Sequence, residues 1–213
     1  MTEDVNSPRK WEKDYEQKTD GWDLGGPTPV FARLARSGNL KPGKMIVPGA
    51  GRGHDARAFA RQGFQVTAVD FASQAVREMQ QLDDPAAPLD ILQHDIFTLP
   101  HKLDQSFDYL LEYTCFCAID PRRRADYADV VTRLLKPGGL YLDLAFPLDN
   151  RAGGPPFAVS VAEVLSLFQE RGFKLIEREI PVDSVSPRRG AEELLIFQKG
   201  DQARTSTTPV SRS

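Results

Sequence analysis

The sequence predicts an α/β protein whose doubly wound, mostly parallel sheet has seven strands, with one antiparallel edge strand. Three observations predict this fold class. Short apolar runs alternate with amphipathic segments along most of the chain, and glycine or proline marks most boundaries between them. The last two apolar runs have too few residues between them for a helical crossover, so they are expected to pair antiparallel at one edge of the sheet.

The predicted elements follow one another in a regular order. The strands are expected at 44–47, 64–70, 89–93, 107–113, 140–145, 173–180 and 192–198. The helices are expected at 11–17, 30–36, 54–62, 73–81, 123–135 and 161–171. Ser73 suits the N-cap of the fourth helix, and Gly63 and Gly172 suit the C-caps of the third and the sixth. The apolar residues of 107–113 favour a strand that is buried on both faces.

The bulk composition indicates one globular domain. The chain has 213 residues, of which 40% are hydrophobic, and a net charge of −3 without a long basic run, which argues against nucleic-acid and membrane partners. We expect a flexible N-terminus (1–10), a folded domain (11–199) with an N-terminal lid (11–36), and a disordered tail (200–213). A polar N-terminus and the lack of a membrane-spanning apolar run predict a cytoplasmic protein, and the lack of an exposed apolar stripe predicts a monomer.

The cysteines and histidines do not predict a metal site. Cys115 and Cys117 are the only cysteines, and two ligands in a C-x-C pattern cannot complete a zinc site by themselves. We interpret both as small buried residues of a strand. The three histidines lie far apart in the sequence and show no metal-ligand spacing.

A glycine-rich turn after the first strand predicts a cofactor site. The turn contains Gly49, Gly51 and Gly53, and Asp70 closes the second strand 17 residues after Gly53. Glycine lets a ligand approach the backbone closely, and a carboxylate at that strand end can accept hydrogen bonds from both hydroxyls of a ribose. A dinucleotide fingerprint would need a third glycine where His54 stands, so the spacing favours a cofactor without a pyrophosphate, such as S-adenosylmethionine. A tight turn without a ligand is the alternative.

Two further motifs agree with this cofactor. Asp95 and Ile96 follow the third strand, where an acid and an apolar side chain could hold an adenine by its amino group and one face. The turn Leu135-Lys136-Pro137-Gly138-Gly139 leads into the fifth strand and resembles the L-K-P-G-G turn of class I methyltransferases. Each motif alone also has an ordinary explanation, as a cap or as a loop.

Several motifs in the same order resemble the thiopurine S-methyltransferase superfamily. Val47-Pro48-Gly49-Ala50-Gly51 is similar to its V-P-G-C-G turn, and Trp22-Asp23 with Thr28-Pro29 is similar to its W-D…T-P segment. The stretch from Glu112 to Pro121 resembles D-Y-T-F-F-C-A-I-E-P of the halide and thiol (thiocyanate) methyltransferase branch. Gly153 to Phe157 and Pro187 to Gly190 also resemble that branch, so the likeness covers about residues 11–199.

The resemblance implies a Rossmann-like class I methyltransferase fold and a set of site residues. The implied contacts to S-adenosylmethionine are Trp11, Tyr15, Trp22, Gly49, Gly51, Asp70, Asp95, Ile96 and Tyr113. An aromatic ring face attracts a cation such as a sulfonium by about 0.5–2 kcal/mol, which suits the aromatic members. Ala50 departs from the usual cysteine and Tyr15 from a common tryptophan; neither change removes a charge. Trp11 and Tyr15 could instead simply pack against each other.

The expected reaction is methyl transfer to a small-molecule acceptor. The branch implies a small soft nucleophile: a thiol, hydrosulfide, thiocyanate or halide. The pocket walls are expected from Tyr15, Tyr113, Phe116, Cys117, Pro156 and Phe157, although ordinary packing would equally explain them. Two other functions stay open, namely S-methylation of larger aromatic thiols and a non-catalytic domain that binds S-adenosylmethionine.

Overall fold

The computed structural model describes residues 4–82 and 84–201, and these fold around one seven-stranded sheet. The strands are β1 Lys44–Pro48, β2 Gln65–Asp70, β3 Leu89–Gln93, β4 Phe107–Glu112, β5 Leu135–Ala145, β6 Phe173–Glu179 and β7 Glu193–Lys199. The α-helices are α1 Pro8–Gln17, α2 Pro29–Arg36, α3 His54–Ala60, α4 Ser73–Gln81, α5 Arg124–Leu134 and α6 Val161–Gln169. The predicted order of strands and helices is confirmed.

The sheet has the strand order β3-β2-β1-β4-β5-β7-β6. Strands β1 to β5 pair in parallel, whereas β7 runs antiparallel to both β5 and β6. The predicted fold class is therefore confirmed. The antiparallel strand is β7, which is second from the edge of the sheet, and β6 is the edge strand next to it. The chain leaves β1 toward one side of the sheet and returns to the other side at β4, and ligands bind at such a switch point, outside the carboxyl ends of the strands.

Two hydrophobic clusters cover the two faces of the sheet. One contains Phe31 of α2 and Phe59 of α3, and the other contains Tyr127 of α5 and Phe168 of α6. Apolar side chains of β1, β4 and β5 alternate between these clusters, as expected for strands that are buried on both faces. The sheet is thus a rigid base for the loops at its carboxyl edge.

The boundaries of several elements differ from the prediction. Helix α1 already begins at Pro8, since proline suits the first turn of a helix. Ala72 is the N-cap residue of α4, and the carboxylate of Glu12 accepts hydrogen bonds from the backbone N–H and the hydroxyl of Ser73, so the predicted Ser73 cap is wrong.

The junction between α5 and β5 also differs. Leu135 already pairs with Phe107 of β4, and the pairing shifts register before it resumes at Leu140. Pro137, which lacks an N–H, and Gly138, with φ of 75°, accommodate this irregularity.

Parts of both ends of the chain lie outside the described residues. Residues 1–3 of the predicted flexible N-terminus and 202–213 of the predicted tail fall in that part. Gly200, the first residue of the predicted tail, donates a backbone hydrogen bond of 3.0 Å to Gly172. None of the described helices is long and apolar enough to span a membrane.

Candidate active site

A cavity of about 580 Å³ lies at the carboxyl edge of the sheet, beneath the N-terminal segment. This volume lies within the range of small-molecule and cofactor sites. The sheet side contributes Gly49, Asp70, Asp95, Ile96, Thr114 and Cys115. The N-terminal segment contributes Trp11, Tyr15 and Trp22, and later loops contribute Phe146, Pro156 and Arg188.

The glycine turn brings the backbone close to the cavity. Gly49 has φ of 57°, and a Cβ there would lie 2.9 Å from the Cβ and Sγ atoms of Cys115. Gly51 has φ of 56°, and a Cβ there would lie 3.2 Å from the Tyr15 hydroxyl. Both positions therefore require glycine for its conformation and for the close approach of the neighbouring chain.

Asp70 joins the glycine turn to the cavity. One of its carboxylate oxygens accepts a hydrogen bond of 2.9 Å from the Gly51 N–H, and the other accepts one of 2.9 Å from the Ala72 N–H. Burial raises the pKa of Asp70 to about 6, although these hydrogen bonds oppose the shift. Each carboxylate oxygen can accept more than one hydrogen bond, so Asp70 still has capacity for hydroxyl groups in the cavity.

Asp95 and Ile96 lie beside Asp70 at the same edge. The last residue of β2, Asp70, pairs with Gln93 at the end of β3, which brings the following residues alongside. Asp95 accepts a hydrogen bond of 2.9 Å from the Phe97 N–H and so caps the short 3₁₀ turn Ile96–Thr98. It also lines the cavity, so the structural and the cofactor-binding interpretation are compatible.

Three aromatic rings of the N-terminal segment form the roof of the cavity. The rings of Trp11 and Tyr15 each pack edge-on against Trp22, with centroid distances of 5.5 Å. Tyr15 is buried, and this burial raises the pKa of its hydroxyl. Trp11 and Tyr15 thus pack on Trp22, and all three residues line the cavity, so packing is compatible with the predicted contact to the cofactor.

The segment after β4 does not continue as an extended strand, so its side chains point in other directions than the sequence predicted. Glu112 accepts hydrogen bonds from the N–H groups of Cys115 (3.0 Å) and Phe116 (2.7 Å), and Thr114 has φ of 62°. As a result Cys115 and Cys117 line the cavity, while Phe116 is buried in the core, 5.7 Å from the ring of Tyr127. Phe116 therefore does not line the cavity, and its predicted place in the pocket wall is wrong.

Phe157 and Tyr113 also lie outside the lining of the large cavity. Phe157 donates a backbone hydrogen bond of 2.7 Å to Cys117, while its neighbour Pro156 does line the cavity. Tyr113 lines an adjoining pocket of about 70 Å³, together with Gly51. Its hydroxyl donates a hydrogen bond of 2.7 Å to Glu192 and accepts one of 2.7 Å from Arg188.

The two cysteines of the cavity wall are poor nucleophiles. Burial raises the pKa of the Cys117 thiol to about 12 and that of the Cys115 thiol well above its usual range. Both thiols are therefore protonated near neutral pH, and the thiol form is much less nucleophilic than the thiolate. They contribute polarizable, weakly polar surface to the cavity.

Arg188 is a residue of the cavity lining to which the sequence motifs assigned no individual role. Its guanidinium is buried, lines the cavity and donates hydrogen bonds to the Tyr113 hydroxyl (2.7 Å) and to the Trp22 carbonyl (2.9 Å). Among the described residues, no carboxylate lies within ion-pair distance of it. The other lysine and arginine side chains of the lining have such partners: Lys10 with Asp14, Arg123 with Asp126 and Arg151 with Asp149.

The sequence contained two signals for Arg188. The first is the motif from Pro187 to Gly190, which resembles the halide and thiol methyltransferase branch, and the second is the position of its loop. Strand β7 runs antiparallel to β5, and its first residue, Glu193, pairs with Ala145 at the carboxyl end of β5. The residues just before β7 must therefore lie at the same edge as the glycine turn. The predicted antiparallel pair thus implied the position of this loop, but not which of its side chains points inward.

Known proteins match the chain over nearly its whole length. The family model of thiopurine S-methyltransferase matches residues 6–203. The chain belongs to this family. It is 39% identical over 198 residues to a probable thiol methyltransferase 2 of Arabidopsis thaliana (91% of the chain and 86% of the relative). It is 34% identical over 193 residues to thiocyanate methyltransferase 1 of Brassica oleracea (89% and 84%).

Solved structures of methyltransferases share the fold. A Burkholderia thailandensis 1,6-didemethyltoxoflavin-N1-methyltransferase with bound S-adenosylhomocysteine has a TM-score of 0.72 at 20% identity, covering 91% of this chain and 87% of that one. A TehB-like S-adenosylmethionine-dependent methyltransferase of Corynebacterium glutamicum has a TM-score of 0.64 at 17% identity (91% and 100%). At these identities the likeness concerns the fold.

The chain is therefore a methyltransferase that uses S-adenosylmethionine, as the sequence predicted. The residues of the cavity fit this cofactor. Gly49 leaves the backbone open where a Cβ would collide, Asp70 offers acceptor oxygens, and the aromatic roof offers ring faces for a cation.

Proposed function

We propose that this methyltransferase acts on a small, soft, anionic nucleophile: a thiolate, hydrosulfide, thiocyanate or halide. The observation that carries the proposal is Arg188, a buried cation that lines the cavity without a carboxylate partner among the described residues. A buried charge is costly unless it is paired, so an anionic acceptor would complete this site. The similarity to a thiol and a thiocyanate methyltransferase supports the same acceptor class.

The cofactor, when bound, supplies a methyl group on a positively charged sulfur. We assign Asp70 to the ribose hydroxyls, Asp95 and Ile96 to the adenine, and Gly49 and Gly51 to the close backbone approach. Trp11, Tyr15 and Trp22 would present their rings to the cation. The hydroxyl of Tyr113 is already bonded to Arg188 and Glu192, so we assign Tyr113 to positioning Arg188 rather than to the cofactor.

Arg188 would hold the acceptor through its remaining N–H groups. The guanidinium has five N–H donors in a fixed geometry, and the described contacts occupy two of them. Glu192 is buried and accepts a hydrogen bond from Tyr113, so the phenol lies between its carboxylate and the guanidinium of Arg188. This indirect pairing holds the arginine in place but leaves its charge available to an anion.

An acceptor of this kind needs no general base, because it arrives already charged. Its lone pair forms the new bond to the methyl carbon while the carbon–sulfur bond breaks, and the electron pair of that bond stays on the departing sulfur. An anion and a cation thus become two neutral products. Apolar walls from Phe146, Pro155 and Pro156 would exclude water, which solvates the separated charges better than the partly neutralised transition state.

The test is turnover of iodide, hydrosulfide, thiocyanate and thiophenol, offered in parallel and measured by headspace gas chromatography. We expect Arg188→Met to lower kcat/KM for the anions about 10- to 100-fold, the value of one charge-assisted hydrogen bond. Arg189→Met is the matched control, because Arg189 is the exposed neighbour and should stay within about twofold. Unchanged kcat/KM in Arg188→Met, or no turnover of any of the four, would contradict the proposal.

A larger aromatic thiol is the second candidate acceptor. Phe146 favours it, because this ring lines the cavity and lies within 6.0 Å of the guanidinium carbons of both Arg151 and Arg188. An aromatic thiolate could pack on this ring and direct its sulfur toward the cofactor. Preferred turnover of thiophenol over iodide and hydrosulfide would select this candidate.

We further propose that the enzyme works as a cytoplasmic monomer without a nucleic-acid or membrane partner. The net charge of −3 without a long basic run supports the lack of polyanionic partners. A reducing compartment suits the two free cysteines in the cavity wall. Size-exclusion chromatography with light scattering tests the oligomeric state.

A further inference from the structure

The N-terminal segment packs against the rest of the protein through a small hydrophobic cluster of its own. Its buried ring, Tyr15, belongs to a small hydrophobic cluster with Ala72 and Ala75, which is separate from the two large clusters on the sheet. Segments with few buried apolar contacts open at a lower free energy than the core. Because this segment is also the roof of the cavity, its opening would expose the site.

The hinge of such an opening lies at Thr28. Its N–H and hydroxyl donate to the carboxylate of Asp55 at 2.7 and 2.8 Å, and α2, which follows directly, buries Val30 and Phe31 in the core. Helix α2 is thus fixed to the rest of the domain, which we call the body. The part that could move is residues 4–27, which is shorter at its end than the lid of 11–36 expected from the sequence; we call residues 4–27 the lid from here on.

We propose that Arg52 is a positioning residue that fastens this lid over the bound cofactor. Arg52 lies in the glycine turn, between Gly51 and Gly53. One terminal nitrogen of its guanidinium contacts the carboxylates of both Asp20 and Asp23, which belong to the lid. The guanidinium carbon also lies 5.3 Å from the centroid of the Tyr15 ring.

The body holds Arg52 ready for these contacts. Its Nε lies 2.6 Å from a carboxylate oxygen of Glu78 on α4, and its backbone carbonyl accepts a hydrogen bond of 3.0 Å from Arg57. The body-side contacts would persist when Asp20 and Asp23 move away. The guanidinium would then stay aimed at the lid, which reduces the entropy lost on closing.

Arg52 would act on the reaction only through the lid. It lines only the adjoining pocket of about 70 Å³ and lies outside the lining of the 580 Å³ cavity, whereas Tyr15 and Trp22 of the lid line both. Fastening the lid completes the aromatic roof over the glycine turn and keeps water out. Losing this contact should therefore weaken retention of the cofactor more than the methyl-transfer step itself.

The chain contains a built-in reporter for this test. It has two tryptophans, Trp11 and Trp22, and both lie in the lid. Acrylamide quenching of tryptophan fluorescence, with and without S-adenosylhomocysteine, therefore reports lid closure. In Arg52→Met we expect quenching in the presence of this product to approach that of the free protein, and the KM for S-adenosylmethionine to rise about tenfold with kcat within about threefold.

Two further variants make the test specific. Asp20→Asn with Asp23→Asn removes the lid half of the contact, leaves the pair of Arg52 with Glu78 intact, and should give the same quenching and KM signature. Arg61→Met is the matched control, because Arg61 pairs with Asp84 away from the lid and should behave as wild type. Arg52→Lys should recover part of the wild-type quenching and KM, since one ammonium can still pair with a carboxylate.

The outcomes are decisive even if one variant folds poorly. Wild-type quenching and KM in Arg52→Met would overturn the proposal. If thermal melting shows that Arg52→Met is unfolded, the Asp20→Asn, Asp23→Asn variant decides by the same two readouts. Combining Arg52→Met with Asp20→Asn and Asp23→Asn should change quenching and KM no more than either variant alone. Additive effects would show that Arg52 and the lid acids act independently and would also overturn the proposal.

Discussion

The two halves of the proposed active site, the cofactor half and the acceptor half, are built from the sequence in different ways. The cofactor half comes from three consecutive strand ends: Gly49 after β1, Asp70 at the end of β2 and Asp95 after β3. The acceptor half combines Cys117 after β4, Phe146 after β5 and Arg188 before β7. The first half is thus encoded by local spacing, whereas the second depends on how distant parts of the chain are brought together.

The halves also differ in charge. The buried carboxylate of Asp70 and the half-buried one of Asp95 face the cavity in the cofactor half, and the buried guanidinium of Arg188 faces it in the acceptor half. A reaction that joins a cationic methyl donor to an anionic acceptor needs opposite fields at the two ends of one cavity, because each field attracts one reactant and repels the other. This division predicts that substitutions in each half affect the binding of only one reactant.

The largest effect is expected in the cofactor half. Asp70→Ala should weaken S-adenosylmethionine binding in calorimetry by about 1–3 kcal/mol, since it removes charge-assisted hydrogen bonds to the ribose. It also removes the acceptor of the Gly51 and Ala72 N–H groups, which shape the turn. Asp90→Ala is the control, because Asp90 is exposed on the neighbouring strand and should leave affinity unchanged. Equal affinities of wild type and Asp70→Ala would refute the assignment of the turn.

A smaller effect is expected from pH. Because the pKa of Asp70 is raised to about 6, the carboxylate is ionised at pH 7.5 and mostly protonated at pH 5. Protonation removes acceptor capacity, so cofactor affinity should fall about tenfold between these pH values, as the ionised fraction does. For folding the sign is opposite: the raised pKa favours the protonated folded state, a contribution to stability that is lost as pH rises from about 4 to about 6.

The Asp70→Asn variant separates this titration from others. Asp55 and Glu112 are also buried carboxylates, with pKa values raised to about 6 and about 7 by burial. If Asp70 causes the pH dependence of cofactor binding, calorimetry on Asp70→Asn should give a nearly flat profile between pH 5 and 7.5. A profile that keeps the wild-type slope would assign the pH dependence of cofactor binding to another group.

The sequence could predict the fold and the clustering of the proposed cofactor-binding residues, because both follow from local patterns. Crossover length fixes parallel or antiparallel pairing, and the carboxyl ends of parallel strands share one edge, so Gly49, Asp70 and Asp95 had to meet there. The turn after β4 could not be predicted in the same way. It depends on Glu112, whose side chain bonds two backbone N–H groups and ends the strand alternation, so that Phe116 faces the core.

The smallest effect on catalysis is expected at Phe116, and it separates the predicted pocket wall from the observed one. Phe116→Leu should lower the free energy of unfolding by about 1 kcal/mol, because the ring packs against Tyr127 in the core, but change KM for the acceptor less than about twofold. Phe146→Leu is the matched substitution in the cavity wall, and it should change the KM for thiophenol several-fold relative to that for iodide. Denaturant melts and the two KM values measure both variants. A larger change of acceptor preference in Phe116→Leu than in Phe146→Leu would place the acceptor on the other side of the turn after β4.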